Sequence, residues 1–437
     1  VSGILDWDLV RGAVPAVITT IGTLAGATLL ARRERRWWTR TVPLIAAGSV
    51  LACLLIWWIV DGLWQPFPDS VPFAVMAWIG AAFFAAGLAV ATLPVSRWRR
   101  RSAALLAALL VVITSGAQVN VYYGQFPSLR AAFGLPPGNE IDYSRLPASS
   151  PSPFRAQPGH PLADGWRPPA DMPRQGAVTQ VAIPPQESKF NATRNAYLYV
   201  PPAYQTRDRP LLPVLVLLHG QPGGPSDWIN GGQIATIMDR FAEAHNGLAP
   251  VVVMPDTTGT AFGNPLCLDS RLGASETYLT RDVPAWIGQN LQIDTDTRHW
   301  AVAGFSYGGT CALQFALRKP DLFPTFVDMS GQEEPTLGNR KKTVTEAFGG
   351  DEAAFRAVNP LDMLTVNKYP RSAGVITVAV SDSTYRPQQR RVFEAAKRNG
   401  MDVTWLEVPG SHNWHGWAGG LTHSLGWLMG RIGLTAS

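Results

Sequence analysis

Charge and cysteine are both scarce in this chain. Asp, Glu, Lys and Arg make up 16% of 437 residues, and there are 3 cysteines. No Cys/His cluster has zinc-ligand spacing and no phosphate-binding glycine loop occurs, so neither a metal nor a nucleotide cofactor is expected. The first 120 residues lack lysine altogether. They carry ten arginines and five acids, which is the whole formal excess of +5, and the remainder is balanced. A neutral C-terminal region has no electrostatic footprint for nucleic acid, which argues against that class of partner.

What the chain has instead is apolar surface: 46% hydrophobic residues and 16 Trp. Four stretches, Gly12 to Ala31, Val42 to Val60, Pro72 to Val95 and Ala103 to Val121, hold no charged side chain between their ends. Each approaches the roughly 20 residues that a helix needs to cross a bilayer core. Pro15 and Pro43 lie near helix starts, where a missing N–H costs little, and the many Gly and Ala suit close helix contacts in lipid. A cleaved signal peptide fits poorly, because Asp6 and Asp8 precede the first stretch and three more follow it.

Five arginines lie between Ala31 and Arg40 and four between Arg97 and Arg101, whereas Asp61 to Ser70 has two Asp and no base. The positive-inside rule puts both arginine loops in the cytoplasm and everything after about residue 121 outside. Trp37, Trp38, Trp57, Trp58, Trp64, Trp98, Tyr122 and Tyr123 cluster at span ends, as an interfacial belt does. Residues 1–121 are therefore expected to form a transmembrane domain of four helices. Residues 122–175, with eleven prolines between Phe126 and Pro173, are expected to be an extended, partly ordered linker.

Residues 176–437 alternate β-rich runs with helical ones, the pattern of an α/β fold with a mostly parallel, eight-stranded sheet. Strands are expected at Val178–Ile183, Asn195–Val200, Val214–Leu218, Val251–Met254, Trp300–Gly304, Thr325–Met329, Val375–Ser381 and Val403–Val408. The fifth runs into Gly304-Phe305-Ser306-Tyr307-Gly308-Gly309 and then a helix. A G-x-S-x-G between strand and helix forces the serine into a strained turn, so Ser306 is the candidate nucleophile.

A serine hydroxyl needs a histidine base and usually an acid to orient it, in the chain order Ser, acid, His. His412 follows the last expected strand and is the candidate base, with His415 as alternative. Asp382 follows Val378-Ala379-Val380-Ser381 and is the candidate acid; Asp328 is the alternative, and Asp256 sits too far upstream. Negative charge developing on the substrate carbonyl oxygen calls for backbone N–H donors. The N–H of Tyr307 is one. Gln221, in His219-Gly220-Gln221-Pro222-Gly223-Gly224, is the other, ahead of Gly223, because Pro222 has no N–H. His219 is expected to pack beneath this loop.

Tyr197 to Tyr204, Leu217-Leu218-His219-Gly220, Gly304 to Gly309 and Pro409-Gly410-Ser411-His412-Asn413-Trp414 together resemble the esterase D family over about residues 177–432. That family includes S-formylglutathione hydrolases, feruloyl and enterochelin esterases and secreted mycolyltransferases. The resemblance implies an α/β-hydrolase fold and a serine triad, with ester hydrolysis or acyl transfer as the chemistry. The anchored layout looks closer to membrane hydrolases acting on aminoacyl-phosphatidylglycerol. The expected substrate is accordingly an ester-bearing membrane or cell-envelope lipid, the bilayer itself being a partner. A catalytically silent scaffold is the competing class. Outside the membrane Cys267 and Cys311 form a possible disulfide, pinning Gly263 to Ser275 over the site. Trp405, Trp414 and Trp417 are candidates for a lipid-facing rim.

Overall fold

The computed structural model describes residues 3–64, 70–94, 96–190 and 194–436. The chain divides into two compact units, Val1–Leu135 and Pro136–Ser437. In the first, four helices are long and apolar enough to cross a membrane: α1 (Ala13–Leu30), a helical run Trp37–Trp64 containing α2 (Val42–Trp57), α3 (Phe73–Thr92) and α4 (Trp98–Tyr123). The second and fourth runs extend beyond the charge-free windows, since Trp and Arg are compatible with helix. The expected end of the third span at Val95, and Asp69 in the preceding loop, lie outside the described residues.

Helix packing in this unit uses small residues, which let helix backbones approach closely. A Cβ at Gly22 of α1 would fall 2.1 Å from Thr114 Oγ1 of α4. That hydroxyl donates to the Ile18 carbonyl at 3.1 Å, and Gln118 Nε2 donates to Thr19 Oγ1 at 2.6 Å. Ala85, Leu88 and Ala89 of α3 are buried, as are Ala104, Ala107 and Ala108 of α4.

The second unit is built on eight strands: β1 (Ala177–Val181), β2 (Ala196–Val200), β3 (Val214–Leu218), β4 (Val251–Met254), β5 (Trp300–Phe305), β6 (Thr325–Met329), β7 (Ala373–Ala379) and β8 (Asp402–Val408). Their order across the sheet is β1-β2-β4-β3-β5-β6-β7-β8. The sheet is mixed, which corrects the expectation of a mostly parallel one. β1 pairs with β2, and β2 with β4, in antiparallel register. Among the described residues no helix lies between β1 and β2, which pair in the opposite sense, and parallel pairing begins between β3 and β4. β3 to β7 are buried at every position, as strands covered on both faces must be. The covering helices include α5 (Ile234–Ala244), α6 (Val283–Asn290), α7 (Tyr307–Arg318), α8 (Tyr385–Asn399) and α9 (Trp414–Arg431). α7 packs across β5 and β6, and α9 across β7 and β6.

Residues 136–175, expected as a spacer, are part of this second unit. Ile141 N–H donates to Val178 O at 2.8 Å and Val178 N–H to Asn139 O at 3.1 Å. Farther on, Phe154 N–H donates to Arg209 O at 3.0 Å and Leu211 N–H to Phe154 O at 2.9 Å, while Leu162 and Ala163 donate to the carbonyls of Gly433 and Leu434 at 3.0 Å each. Leu162 and Trp166 are buried, and Trp166 Nε1 donates to Asn246 O at 3.0 Å. Proline deletes donors but leaves carbonyls and an extended backbone, so the residues between prolines dock as a strap without any apolar period to betray it.

Candidate active site

β5 delivers the chain to Ser306 and α7 takes it away, with no intervening loop. Ser306 has φ +53°, the left-handed region in which a non-glycine residue is held only by its surroundings. Its N–H donates to Met329 O on β6 at 2.9 Å, and its carbonyl accepts from Gly309 N–H at 2.9 Å. Two glycines make the turn possible. A Cβ at Gly304 would lie 2.2 Å from Gly308 O, and one at Gly308 would lie 2.3 Å from Leu218 O and 2.7 Å from His219 O. The head of α7 is thus pressed onto the turn that follows β3.

Three residues far apart in the chain meet here. Nδ1 of His412 donates to Asp382 Oδ2 at 2.9 Å, which leaves Nε2 to accept the Ser306 hydroxyl, also at 2.9 Å. The loops carrying acid and base are stitched together beyond the sheet: Val380 N–H donates to Val408 O at 2.9 Å and Ser381 N–H to Gly410 O at 3.0 Å. This stitching ends β7 at Ala379, earlier than its apolar run indicates. Tyr385 at the start of α8 lies flat on His412, ring centroids 3.9 Å apart and 16° between planes, and Trp417 meets the imidazole edge-on at 4.9 Å and 89°. Trp417 stacks in turn on Phe305, beside Trp414 and Trp228. Trp414 is buried in this cluster, whereas Trp405 lies against Phe393 and Arg390 on the outermost strand. His415 belongs to the first turn of α9.

The turn after β3 carries the expected donor. Gly223 N–H is occupied by Ala261 O at 2.9 Å, while the N–H groups of Gln221 and Tyr307 have no acceptor among the described residues. A network unforeseen from sequence fixes this turn. Asp256, following β4, accepts from Arg194 N–H, Nε and Nη2 at 2.8, 3.0 and 2.7 Å. Arg194 Nη1 donates to Gly223 O at 2.7 Å. His219, fully buried, lies against Gly220 O through Nδ1 at 2.8 Å and accepts Thr257 N–H at Nε2, 3.0 Å. Burial pushes the Asp256 carboxyl up, but the neighbouring His219 and the hydrogen bonds of Arg194 outweigh that and hold it well below the usual carboxylate range. Asp256 was set aside as a triad acid by chain order; its position after a strand, like that of Asp382, is the one signal that marked it.

Asp328, the alternative acid, has no hydrogen bond with His412 among the described residues. Oδ1 accepts Gly331 N–H at 2.9 Å, Oδ2 is buried without a partner among the described residues, and burial pushes the group up to about 7. Cys267 and Cys311 are bonded, with Cα atoms 5.6 Å apart. Cys267 N–H also donates to Tyr307 Oη at 2.9 Å, so the loop around Cys267 is held to α7 at two points beside the nucleophile. Among the described residues no three His, Cys, Asp or Glu side chains gather as a metal site would need.

Comparison with known proteins bears on the family and the fold. The family model described as "Putative esterase" matches residues 188–428. A protein of Corynebacterium glutamicum without assigned function is 34% identical over 443 residues, 98% of each chain. An esterase of Mycobacterium tuberculosis is 26% identical over 258 residues, which are 52% of this chain and 54% of that one. A ferulic acid esterase of known structure superposes with a TM-score of 0.51 at 19% identity, covering 59% of this chain and 98% of that one, and so shares the fold.

Proposed function

Because the chain belongs to the esterase family and is a carboxylic ester hydrolase, we propose that Ser306 is its nucleophile and that it acts, anchored in a membrane, on an ester-bearing lipid outside the cytoplasm. Ser306 Oγ attacks the acyl carbonyl while His412 Nε2 takes the hydroxyl proton, and Asp382 stabilises the imidazolium that results. The tetrahedral oxyanion is met by the N–H groups of Tyr307 and Gln221. Collapse breaks the ester C–O bond, and His412 returns the proton to the departing alcohol. Water, deprotonated by the same Nε2, then releases the acid from Ser306.

The observation that carries this reading is the pair of 2.9 Å contacts, Ser306 to His412 and His412 to Asp382, at a serine held in a left-handed turn. A fluorophosphonate should label the wild-type chain and not Ser306→Ala. Absence of labelling in the wild type would favour a silent scaffold.

The lipid substrate rests on the four apolar helices. One span anchors a protein effectively irreversibly, so further spans beside an extracytoplasmic domain are best accounted for by a substrate that resides in the same bilayer. Two outcomes are expected. Reporter fusions at residue 35 should behave as cytoplasmic and at residue 130 as exported; a cytoplasmic signal at 130 would overturn the orientation. A chain starting at residue 136, where the second unit begins, should turn over p-nitrophenyl esters within about twofold of the full chain, yet lose tenfold or more on lipid esters in vesicles, on the order of the effective-concentration gain that tethering brings. Equal vesicle rates would assign the spans some other task.

A further inference from the structure

Tyr385 touches both the proposed base and the acid that orients it. Its backbone N–H donates to Asp382 Oδ1 at 3.0 Å, leaving Oδ2 for His412, and its ring covers one face of the imidazole at 3.9 Å. The residue is fully buried, so water does not screen that face. A phenol ring presents negative quadrupole density to whatever lies over it, and a cation there is held more tightly than a neutral group. His412 is neutral before attack and cationic after it. The stack therefore strengthens as the reaction proceeds, which is the condition for an interaction to raise kcat rather than merely bind. Among the described residues the ring meets Asp382 at Nδ1, Ser306 at Nε2, Tyr385 on the face and Trp417 at the edge, and of these Asp382 is the charged one.

We infer that Tyr385 is a positioning residue, which aligns Asp382 through its N–H and stabilises the His412 imidazolium through its ring face. The inference rests on the proposed roles of Ser306, His412 and Asp382.

The test uses the full chain in detergent with a short p-nitrophenyl ester. Tyr385→Phe keeps the ring and should retain kcat within about twofold. Tyr385→Leu, with Tyr385→Met as a second non-aromatic variant should the first not fold, should lower kcat about tenfold, the size of a desolvated cation–π contact. The acid limb of kcat/KM supplies the second readout. Activity needs neutral His412 and falls away once acid protonates it. The stacked ring favours the charged imidazole, so its removal should shift the limb to lower pH, by up to about one unit for a tenfold effect. A limb that stays in place while kcat falls would mean a structural role only and would overturn the inference, as would a Phe variant as slow as Leu, or no change in either. Fluorophosphonate labelling of Ser306 is read separately in each variant. Its loss in the wild type overturns the underlying mechanism, whereas its persistence with an unmoved limb overturns only the part assigned to Tyr385.

Discussion

Ser306→Ala and His412→Ala are each expected to lower ester turnover by about 10⁴ or more, and the double variant should be little worse than either, because nucleophile and base act as one unit. Without Ser306 Oγ no acyl-enzyme forms. Without His412 the hydroxyl has no acceptor at 2.9 Å for the proton it must lose. What remains would come from the donors of the Gln221 turn and the head of α7. Asp382→Asn should leave Ser306 and His412 in place yet cost about 10³ to 10⁴, since a carboxamide neither holds the productive tautomer nor offsets the imidazolium. Initial rates on a p-nitrophenyl ester check all four variants. A mild His412→Ala beside an inactive His415→Ala would transfer the base to His415.

Gly308→Ala should be nearly as damaging without touching a reacting atom. The added methyl would fall 2.3 Å from Leu218 O and 2.7 Å from His219 O, both main-chain atoms that cannot rotate away. Relief requires α7 to back off from the turn after β3. Those two elements carry the N–H of Tyr307 and the N–H of Gln221, so the movement separates the pair that would face one oxyanion. Loss of one such donor costs about 10² to 10³ in kcat, and overpacking of this kind destabilises by about 1–3 kcal/mol. Gly426 on α9 supplies the control: nothing lies within 4 Å of a Cβ there, and Gly426→Ala should be neutral or stabilising by up to about 1 kcal/mol. Comparable damage in both variants would sever the effect from the contact at Gly308.

The serine turn could be read in sequence because its glycines are dictated by contacts four residues apart, Gly304 against Gly308. His412 and Asp382 followed from chain order, each sitting just past a strand. Tyr385 could not be read so, since a ring three residues beyond an acid says nothing about which face of which imidazole it covers. The Arg194, Asp256 and His219 network was hidden for a related reason: its members come from three separate segments and gather only once β3 and β4 pair. Strand existence was legible from apolar runs, but strand direction was not, because periodicity is the same for a chain read forward or backward. Hence the antiparallel β1 and β2 emerged only with the fold. In the first unit, charge marks where the apolar run starts but not where the helix does, since Arg99 to Arg101 lie in the first turn of α4, ahead of the apolar residues.

β1 is the outermost strand on its side of the sheet, and such a strand with bare amide and carbonyl groups is a template on which another chain can add. Residues 139 to 141 occupy that rim through the bonds of Asn139 and Ile141 with Val178, and the adjoining Pro136 and Pro137 offer no N–H with which to extend it. A chain begun at residue 176, where composition alone would divide it, keeps every group proposed for the chemistry. It would nonetheless bare the rim and open the core where Leu162 and Trp166 sit. Its failing would be colloidal rather than chemical, with molecules joining edge to edge and leaving solution while each could still, in principle, cleave an ester.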